Sequence, residues 1–496
     1  MTATTNAAGG TMNSARLGAI IKTARDIMRK DAGLNGDLDR LPLLSWLLFL
    51  RAFDAKEAER EIIEGSDFRS ALSPSYQWRT WAEDGNLTGA ALIRFVNEQL
   101  LPYLAELKSD TPGDPRNVLG QVFSGIHNRM ASGYLFRDLV NQVRKVDFTS
   151  SDDIHTMAFI YESLLKEMRD AAGDGGEFYT TRPLIRFMVE QTFLELGESI
   201  LDPACGTGGF LVEALDELTR GKNLGIAQQR ELWRNLRGIE KKPLPYLLCM
   251  MNLILHGVPD PQIVHENALV RMVSEIGPSS RVNVVLTNPP FGGEEEDSVA
   301  ARFPTGYQVR ETSILFVKAV IDKLKPDGRC AIVLPNGFLF DDRSRKVRGD
   351  LLSKCNLHTI VRLPQGVFAP YTQIPVNLLF FDRSGPTKQV WYYQIDPPEG
   401  RKGYAKTRPI RYEEFADCAA WWGGKERADR AENEHAWVVP AADITADNSN
   451  LDLTHPVPAD DLTHRPPAEL LADLIASEQE ILTLLSSLKH DMEEWS

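Results

Sequence analysis

Cysteine is scarce and never paired along the chain. Cys205, Cys249, Cys330, Cys355 and Cys418 are far apart, odd in number and without a Cys-x-x-Cys spacing. A disulfide framework and a zinc knuckle are therefore excluded, no metal site is expected, and a reducing cytoplasm fits. Long apolar runs are missing too: the strongest early stretch, LPLLSWLLFL at 41–50, falls short of the about 20 residues a spanning helix needs. The start, MTATTNAAGGTMNS, has no basic segment leading into an apolar one, so neither export nor membrane insertion is indicated. There is no GxxxxGK[ST] loop, which argues against a nucleoside triphosphatase of that class. Basic residues are in deficit, 55 Lys plus Arg against 69 Asp plus Glu for a net charge of −14. A chain that grips nucleic acid unaided through an overall basic surface is thereby disfavoured.

What is present describes a large globular protein. The 496 residues are 43% hydrophobic and 25% charged, and at roughly 150 residues per domain they suggest about three domains. Residues 1–13 are small and polar and read as a flexible tail. From Leu17 to about residue 170 the pattern is helical, with Ile20, Ile21, Ile27 and Met28, then Leu43, Leu44, Leu47, Leu48, Leu50 and Phe53, at three- to four-residue spacing. A helical domain is assigned to 14–170, and the Gly-rich AAGDGGE at 171–177 is a candidate hinge.

Over 171–385 short apolar runs alternate with helical stretches, which predicts an α/β fold with a doubly wound parallel sheet covered on both faces. Seven strands are expected at 199–205, 236–240, 262–268, 282–288, 330–335, 358–364 and 376–381. Residues 386–465 read as an irregular extension, with a loop at 396–409. A last helix at 466–496 spaces Leu474, Ile481, Leu488 and Trp495 seven apart. Such a seam either packs on its own domain or docks a partner protein, and its place at a terminus favours docking.

Three motifs carry chemistry. In DPACGTGGF, from Asp202 to Phe210, Gly206, Gly208 and Gly209 flank Thr207 where a strand gives way to a helix, so the backbone can approach a nucleotide-like ligand closely. The spacing is not the G-x-G-x-x-G of hydride-transfer enzymes. Glu240 closes the next strand, where a carboxylate can accept both hydroxyls of a ribose, and Asn267 follows the third, where an amide can meet an adenine edge. Asn288-Pro289-Pro290-Phe291 ends the fourth strand at the reversal of strand order. Its prolines remove N–H donors and fix an extended turn, leaving the Asn288 side chain and the Pro289 carbonyl as two acceptors for a planar amine. Phe291 is suited to stacking on the ring.

Together these residues resemble the S-adenosylmethionine-dependent amino-methyltransferases, and more closely the modification subunits of type I restriction-modification systems. The resemblance spans most of the chain: the helical N-terminal part, GEFYTTRP at 176–183, DPACGTGGF, the GIE strand end, NPPF and GRCAIVLPNGFLF at 328–340. It implies a Rossmann-like methyltransferase sheet with an N-terminal all-α domain and a C-terminal helical extension. It also implies that Glu177, Phe178, Tyr179 and Thr180 close over the methionine end of S-adenosylmethionine, with Asp202, Gly206, Thr207, Gly208 and Gly209 cradling that end and Glu240 holding the ribose. Thr181 stands where the family more often has proline, and Asn267 where it usually has Asp or another polar residue.

The implied reaction is in-line methyl transfer to N6 of an adenine flipped out of double-stranded DNA, a site-specific adenine DNA methyltransferase, EC 2.1.1.72. Cytosine C5 methylation uses a nucleophilic cysteine after proline, and no Pro-Cys pair occurs. Enzymes acting on cytosine N4 generally carry Ser before Pro-Pro. Methylation of an RNA base or a glutamine amide, and a catalytically silent assembly subunit, are the alternatives. The resemblance implies a specificity subunit as partner, two modification subunits per specificity subunit, and a restriction subunit in a full system. Two charged segments remain open. The acidic GGEEEDSVAARF at 292–303 is either a solvated mobile loop or one ordered on DNA, and RSRKVR at 343–348 is either a solvated helix face or a phosphate contact.

Overall fold

The computed structural model describes residues 7–456 apart from 112–113, 147, 149–179, 276, 370–371, 399, 402 and 406. The expected hinge at 171–177, Glu177, Phe178, Tyr179 and the docking helix at 466–496 lie outside the described residues.

The N-terminal part is helical, as its periodicity requires, with α1 (Ala7–Met28), α2 (Asp37–Glu64), α3 (Pro115–Phe123) and α4 (Gly133–Val143) as its longer elements. Positions 41–50 of α2 are apolar nearly all round, and this part of the helix is correspondingly buried among its neighbours, whereas its last turn is exposed. Trp46 packs against Phe136 of α4 and Phe123 of α3, with ring centroids 6.1 and 6.3 Å away. At the far end of α2, Lys56 Nζ donates to the Ile254 carbonyl at 2.9 Å, tying these helices to the part that follows. That carbonyl lies in the last turn of a helix, where a cation is favoured.

Beyond α5 (Arg182–Glu190) the chain builds one mixed sheet with helices on both faces. Its elements in order are β1 (Ile200–Asp202), α6 (Gly209–Thr219), β2 (Leu236–Glu240), α7 (Pro243–Leu255), β3 (Gln262–His265), α8 (Ala268–Ser274), β4 (Val282–Thr287), α9 (Thr312–Lys323), β5 (Leu324–Pro335), α10 (Arg345–Lys354), β6 (Asn356–Arg362), β7 (Val376–Asp382), β8 (Gln389–Gln394) and β9 (Ala436–Pro440). The spatial order is β3-β2-β1-β4-β5-β7-β6-β8-β9. Period-two alternation sends Ala331, Val333, Leu378 and Phe380 into one apolar core and Cys330, Ile332, Leu334, Leu379 and Phe381 into the other. The first core is continuous with that of the N-terminal helices.

All seven expected strands form, but the expectation of a seven-stranded parallel sheet is corrected in two respects. The sheet has nine strands, and β7 runs antiparallel to both β5 and β6. The extra pair, β8 and β9, comes from the 386–465 stretch read as irregular. QVWYYQ buries Val390, Tyr392 and Tyr393, pairs parallel with β6, and receives AWVVP antiparallel on its outer side. Neither strand has the long aliphatic run of β4, and the polar loop between them masks the pairing. β5 also starts six residues before the predicted 330, with a register shift against β4 between Val282 and Val284.

Candidate active site

The strand order reverses between β1 and β4, which lie side by side and parallel. In open α/β sheets, ligands bind at the carboxyl ends of the strands beside such a reversal. The predicted motifs converge there.

After β1 the backbone turns through Gly206 (φ 51°) and Gly208 (φ 81°), left-handed conformations that L side chains rarely adopt. A Cβ on Gly208 would sit 2.9 Å from Cys249 Sγ on α7, so close packing as well as dihedral angle requires glycine there. The Gly206 N–H donates to Glu240 Oε2 at 2.9 Å, and Glu240 Oε1 accepts from the Lys242 N–H at 2.8 Å. The strand-end carboxylate is thus oriented by two backbone donors. Thr207 is fixed through its carbonyl, which accepts from Asn252 Nδ2 at 2.9 Å.

Asp202, 1% exposed, lies beneath this turn. Its Oδ1 accepts from the Ala204 N–H at 3.1 Å and from the Thr287 hydroxyl at 2.9 Å. Burial raises the Asp202 carboxyl to about 7, partly opposed by those two hydrogen bonds and reinforced by the nearby Glu240 charge. Asp202 therefore ties the glycine turn to the last residue of β4.

Asn288 follows at once, 8% exposed. Its Nδ2 donates to Thr180 Oγ1 at 2.9 Å, which joins the GEFYTTRP segment to the Asn-Pro-Pro turn. Its Oδ1 is buried and has no hydrogen-bond partner among the described residues. Pro289 is buried and Pro290 exposed. Phe291 is 6% exposed and meets Phe368 edge-on at 6.2 Å between centroids, so its ring is packed here rather than presented as an open platform.

Asn267 is occupied differently from a free adenine-reading amide. Its Oδ1 caps α8 by accepting from the Leu269 N–H at 3.0 Å, and its Nδ2 donates to Glu295 Oε2 at 3.0 Å. Within the acidic loop Glu295 is accordingly not solvated, whereas Glu294, Glu296 and Asp297 are exposed. Glu295 is 7% exposed and also pairs with Lys241 at 3.2 Å. RSRKVR divides: Arg348 is buried, donating to the Phe338, Asp341 and Ser449 carbonyls, whereas Arg343, Arg345 and Lys346 stay exposed at the surface, Arg343 pairing with Asp341 and Glu311. Lys346 lies over the Tyr307 ring.

Sequence reading missed Thr287, Asn252 and Glu295. A lone amide within the apolar PLPYLLCMMNLIL marks Asn252, and a hydroxyl closing a fully buried strand marks Thr287. Nothing in a run of four acids singles out Glu295.

The family profile described as N-6 DNA Methylase matches residues 152–465. The chain is 44% identical over 479 residues to the type I restriction enzyme EcoEI methylase subunit of Escherichia coli, covering 95% of this chain and 97% of that one. It belongs to the N-6 DNA methylase family. Among solved structures, a modification subunit from Vibrio vulnificus YJ016 aligns with this methylase at a TM-score of 0.79 and 49% identity, covering 87% of this chain and 93% of that one. A chain from a study of assembly and conformational transition in the type I R-M system aligns at 0.75 and 37%, covering 97% and 99%. Among the described residues no helix of this methylase is long and apolar enough to cross a membrane, and no group of three or more His, Cys, Asp and Glu could hold a metal ion.

Proposed function

We propose that this methylase transfers the methyl group of S-adenosylmethionine to N6 of an adenine flipped out of double-stranded DNA, as the modification subunit of a type I restriction-modification complex. The observation that carries the reading is Asn288 Oδ1, a buried acceptor without a partner among the described residues at the carboxyl end of β4, held in place through Thr180. Leaving such an atom unsatisfied costs about 1–3 kcal/mol. An exocyclic amine entering the turn removes that cost by donating one N–H to Oδ1 and the other to the Pro289 carbonyl.

The residues present fit the cofactor. Gly206 and Gly208 leave a cradle that a Cβ would strain, and the Glu240 carboxylate is oriented for a vicinal diol. Asp202, Gly206, Thr207, Gly208 and Gly209 would hold the methionine end together with Thr180 and the Glu177, Phe178 and Tyr179 segment, and Asn267 would stand at the adenine end. When bound, the cofactor supplies an electrophilic sulfonium methyl. Asn288 and Pro289 orient the amine and draw electron density toward its nitrogen, so that no covalent enzyme intermediate is needed. Phe291 turns from Phe368 to stack on the flipped base.

Flipping costs a few kcal/mol, to be recovered through DNA contacts. A chain of net charge −14 whose RSRKVR segment has Arg348 buried and Arg343 paired with Asp341 supplies few of them. We therefore assign sequence reading to a specificity subunit, with two methylase chains per specificity subunit, the 466–496 helix as a docking element, and a cytoplasmic location alongside the DNA. Domain limits of 14–170 and 171–385 accompany this reading. Purified with its specificity subunit, the methylase should place labelled methyl groups on adenine in duplex DNA, whereas label on cytosine, RNA or protein glutamine would overturn the assignment. Alone it should bind DNA weakly.

A further inference from the structure

The loop after Phe291 is shaped at its base by a short antiparallel ladder. Gly293 O accepts from the Thr312 N–H at 3.0 Å and from Thr312 Oγ1 at 2.9 Å, Glu294 bridges Glu311, and the Glu295 N–H donates to Arg310 O at 2.8 Å. This ladder gives the consecutive acids different fates. Glu294 and Asp297 remain exposed beside Arg310, with side chains 60% and 88% accessible. Glu295 is turned inward, across the ends of β1 and β2, to reach Lys241 and Asn267.

A carboxylate is costly to bury unless its lone pairs are used. Oε2 accepts from Asn267 at 3.0 Å and from Lys241 at 3.2 Å, while Oε1 has only the longer 3.4 Å approach of Lys241. Lys241 directly follows Glu240, the residue placed on the ribose, so its pairing with Glu295 brings that carboxylate beside the ribose position, on the side of Asn267. Asn267 has its oxygen engaged in capping α8, and the neighbouring Glu266 is paired with Arg271 at 3.1 Å. Of Asn267 and Glu295, the less occupied acceptor is Glu295 Oε1.

We propose that Glu295 reads the cofactor's base by accepting the 6-amino group of its adenine, and so selects a 6-amino purine over a 6-oxo one. This rests on the cofactor assignment made above and adds to it the residue that sets base specificity. A carboxylate offers acceptors only; it welcomes an amine and repels a carbonyl oxygen in the same place.

Calorimetric titration of the full chain with S-adenosylhomocysteine and with S-inosylhomocysteine, its 6-oxo counterpart, tests this without recourse to catalysis. The unaltered chain should prefer the amino form by about 100-fold or more, since a site built to hydrogen-bond a group rejects the analogue lacking it. Glu295→Gln should reduce that ratio at least about tenfold, because the amide can turn its NH2 toward a 6-oxo group. Glu294→Gln, on the exposed neighbour, should leave it unchanged. A merely structural Glu295 would weaken both ligands equally, and an unchanged ratio in Glu295→Gln overturns the proposal. Should that variant fail a thermal-melt check, Glu295→Asp, which withdraws the carboxylate by one methylene, must lower the ratio as well or the proposal falls. Binding of S-adenosylhomocysteine without preference would remove the role of Glu295 alone, whereas binding of neither ligand would remove the cofactor reading and this inference together.

Discussion

Around Gly206 and Glu240 the carboxyl edge of the sheet is internally satisfied: both carboxylate oxygens accept backbone N–H groups, and the Thr207 carbonyl accepts from Asn252. At the end of β4, a short distance along the same edge, Asn288 has one polar atom bonded to Thr180 and the other buried with no partner among the described residues. The first region has its donors and acceptors already aimed, as suits a ligand bound in the same way on each turnover. The second keeps an unsatisfied acceptor, which on the proposed reading an incoming amine would satisfy, linking base flipping to hydrogen bonding at the reacting nitrogen.

Breaking the unsatisfied side should have the largest effect. Asn288→Ala removes both the orphan acceptor and the Thr180 contact, and methyl transfer by the complex should fall by at least about 10²–10³-fold. Calorimetry with S-adenosylhomocysteine should show near-normal affinity; loss of both properties together would mean that the two regions are one site. Gly208→Ala attacks the satisfied side. With φ at 81° and Cys249 Sγ 2.9 Å from the new Cβ, the turn should lose about 1–2 kcal/mol of stability, and cofactor affinity should drop at least about tenfold. Thermal melts and calorimetry check the two effects separately.

The same contrast governs how far the site could be read from sequence. Gly206, Gly208, Glu240 and Asn288 could be placed at the carboxyl edge from sequence because residue type at a strand end is visible there: a positive φ needs glycine, and a carboxylate or an amide closing a strand stands out from its apolar run. Asn267 was legible as a polar residue after β3, but its engagement with α8 and Glu295 was not, since that depends on a ladder formed 28 residues later in the chain. RSRKVR divides for a related reason. Charge is visible in a sequence, but whether a guanidinium faces solvent or three buried carbonyls is decided by packing, as Arg348 shows. In the fold, β4 announces itself with nearly continuous burial, whereas β8 and β9 exist because β6 offers them an edge.

A smaller effect is expected where Thr180 supports Asn288 from the neighbouring segment. Thr180→Val keeps the shape of the side chain but removes the oxygen that accepts from Asn288 Nδ2. Asn288 would then hold its orientation less firmly, at a cost of about 1–1.5 kcal/mol, which corresponds to roughly tenfold in the transfer rate. The melting temperature should barely move. A loss as large as that of Asn288→Ala would show that Thr180 itself touches the reacting groups.

The smallest effect concerns Asp202, which joins the two regions by accepting from both Ala204 and Thr287. Burial lifts its carboxyl to about 7 in the folded protein, whereas in the unfolded chain it titrates near about 4. Between those values the folded state binds the proton and the unfolded state does not, so the stability from this group is complete below about pH 4 and is lost as pH rises toward 7. Asp202→Asn, which resembles the protonated acid and can still accept from Thr287, should remove that part of the decline. Urea midpoints at about pH 5 and about pH 8 measure it: the unaltered methylase should lose more stability between the two than the variant does. Equal losses would mean that Asp202 stays ionised in the folded state. The link between the cofactor turn and β4 would then be held by a charge rather than by a neutral carboxyl, and the two regions would respond to pH independently.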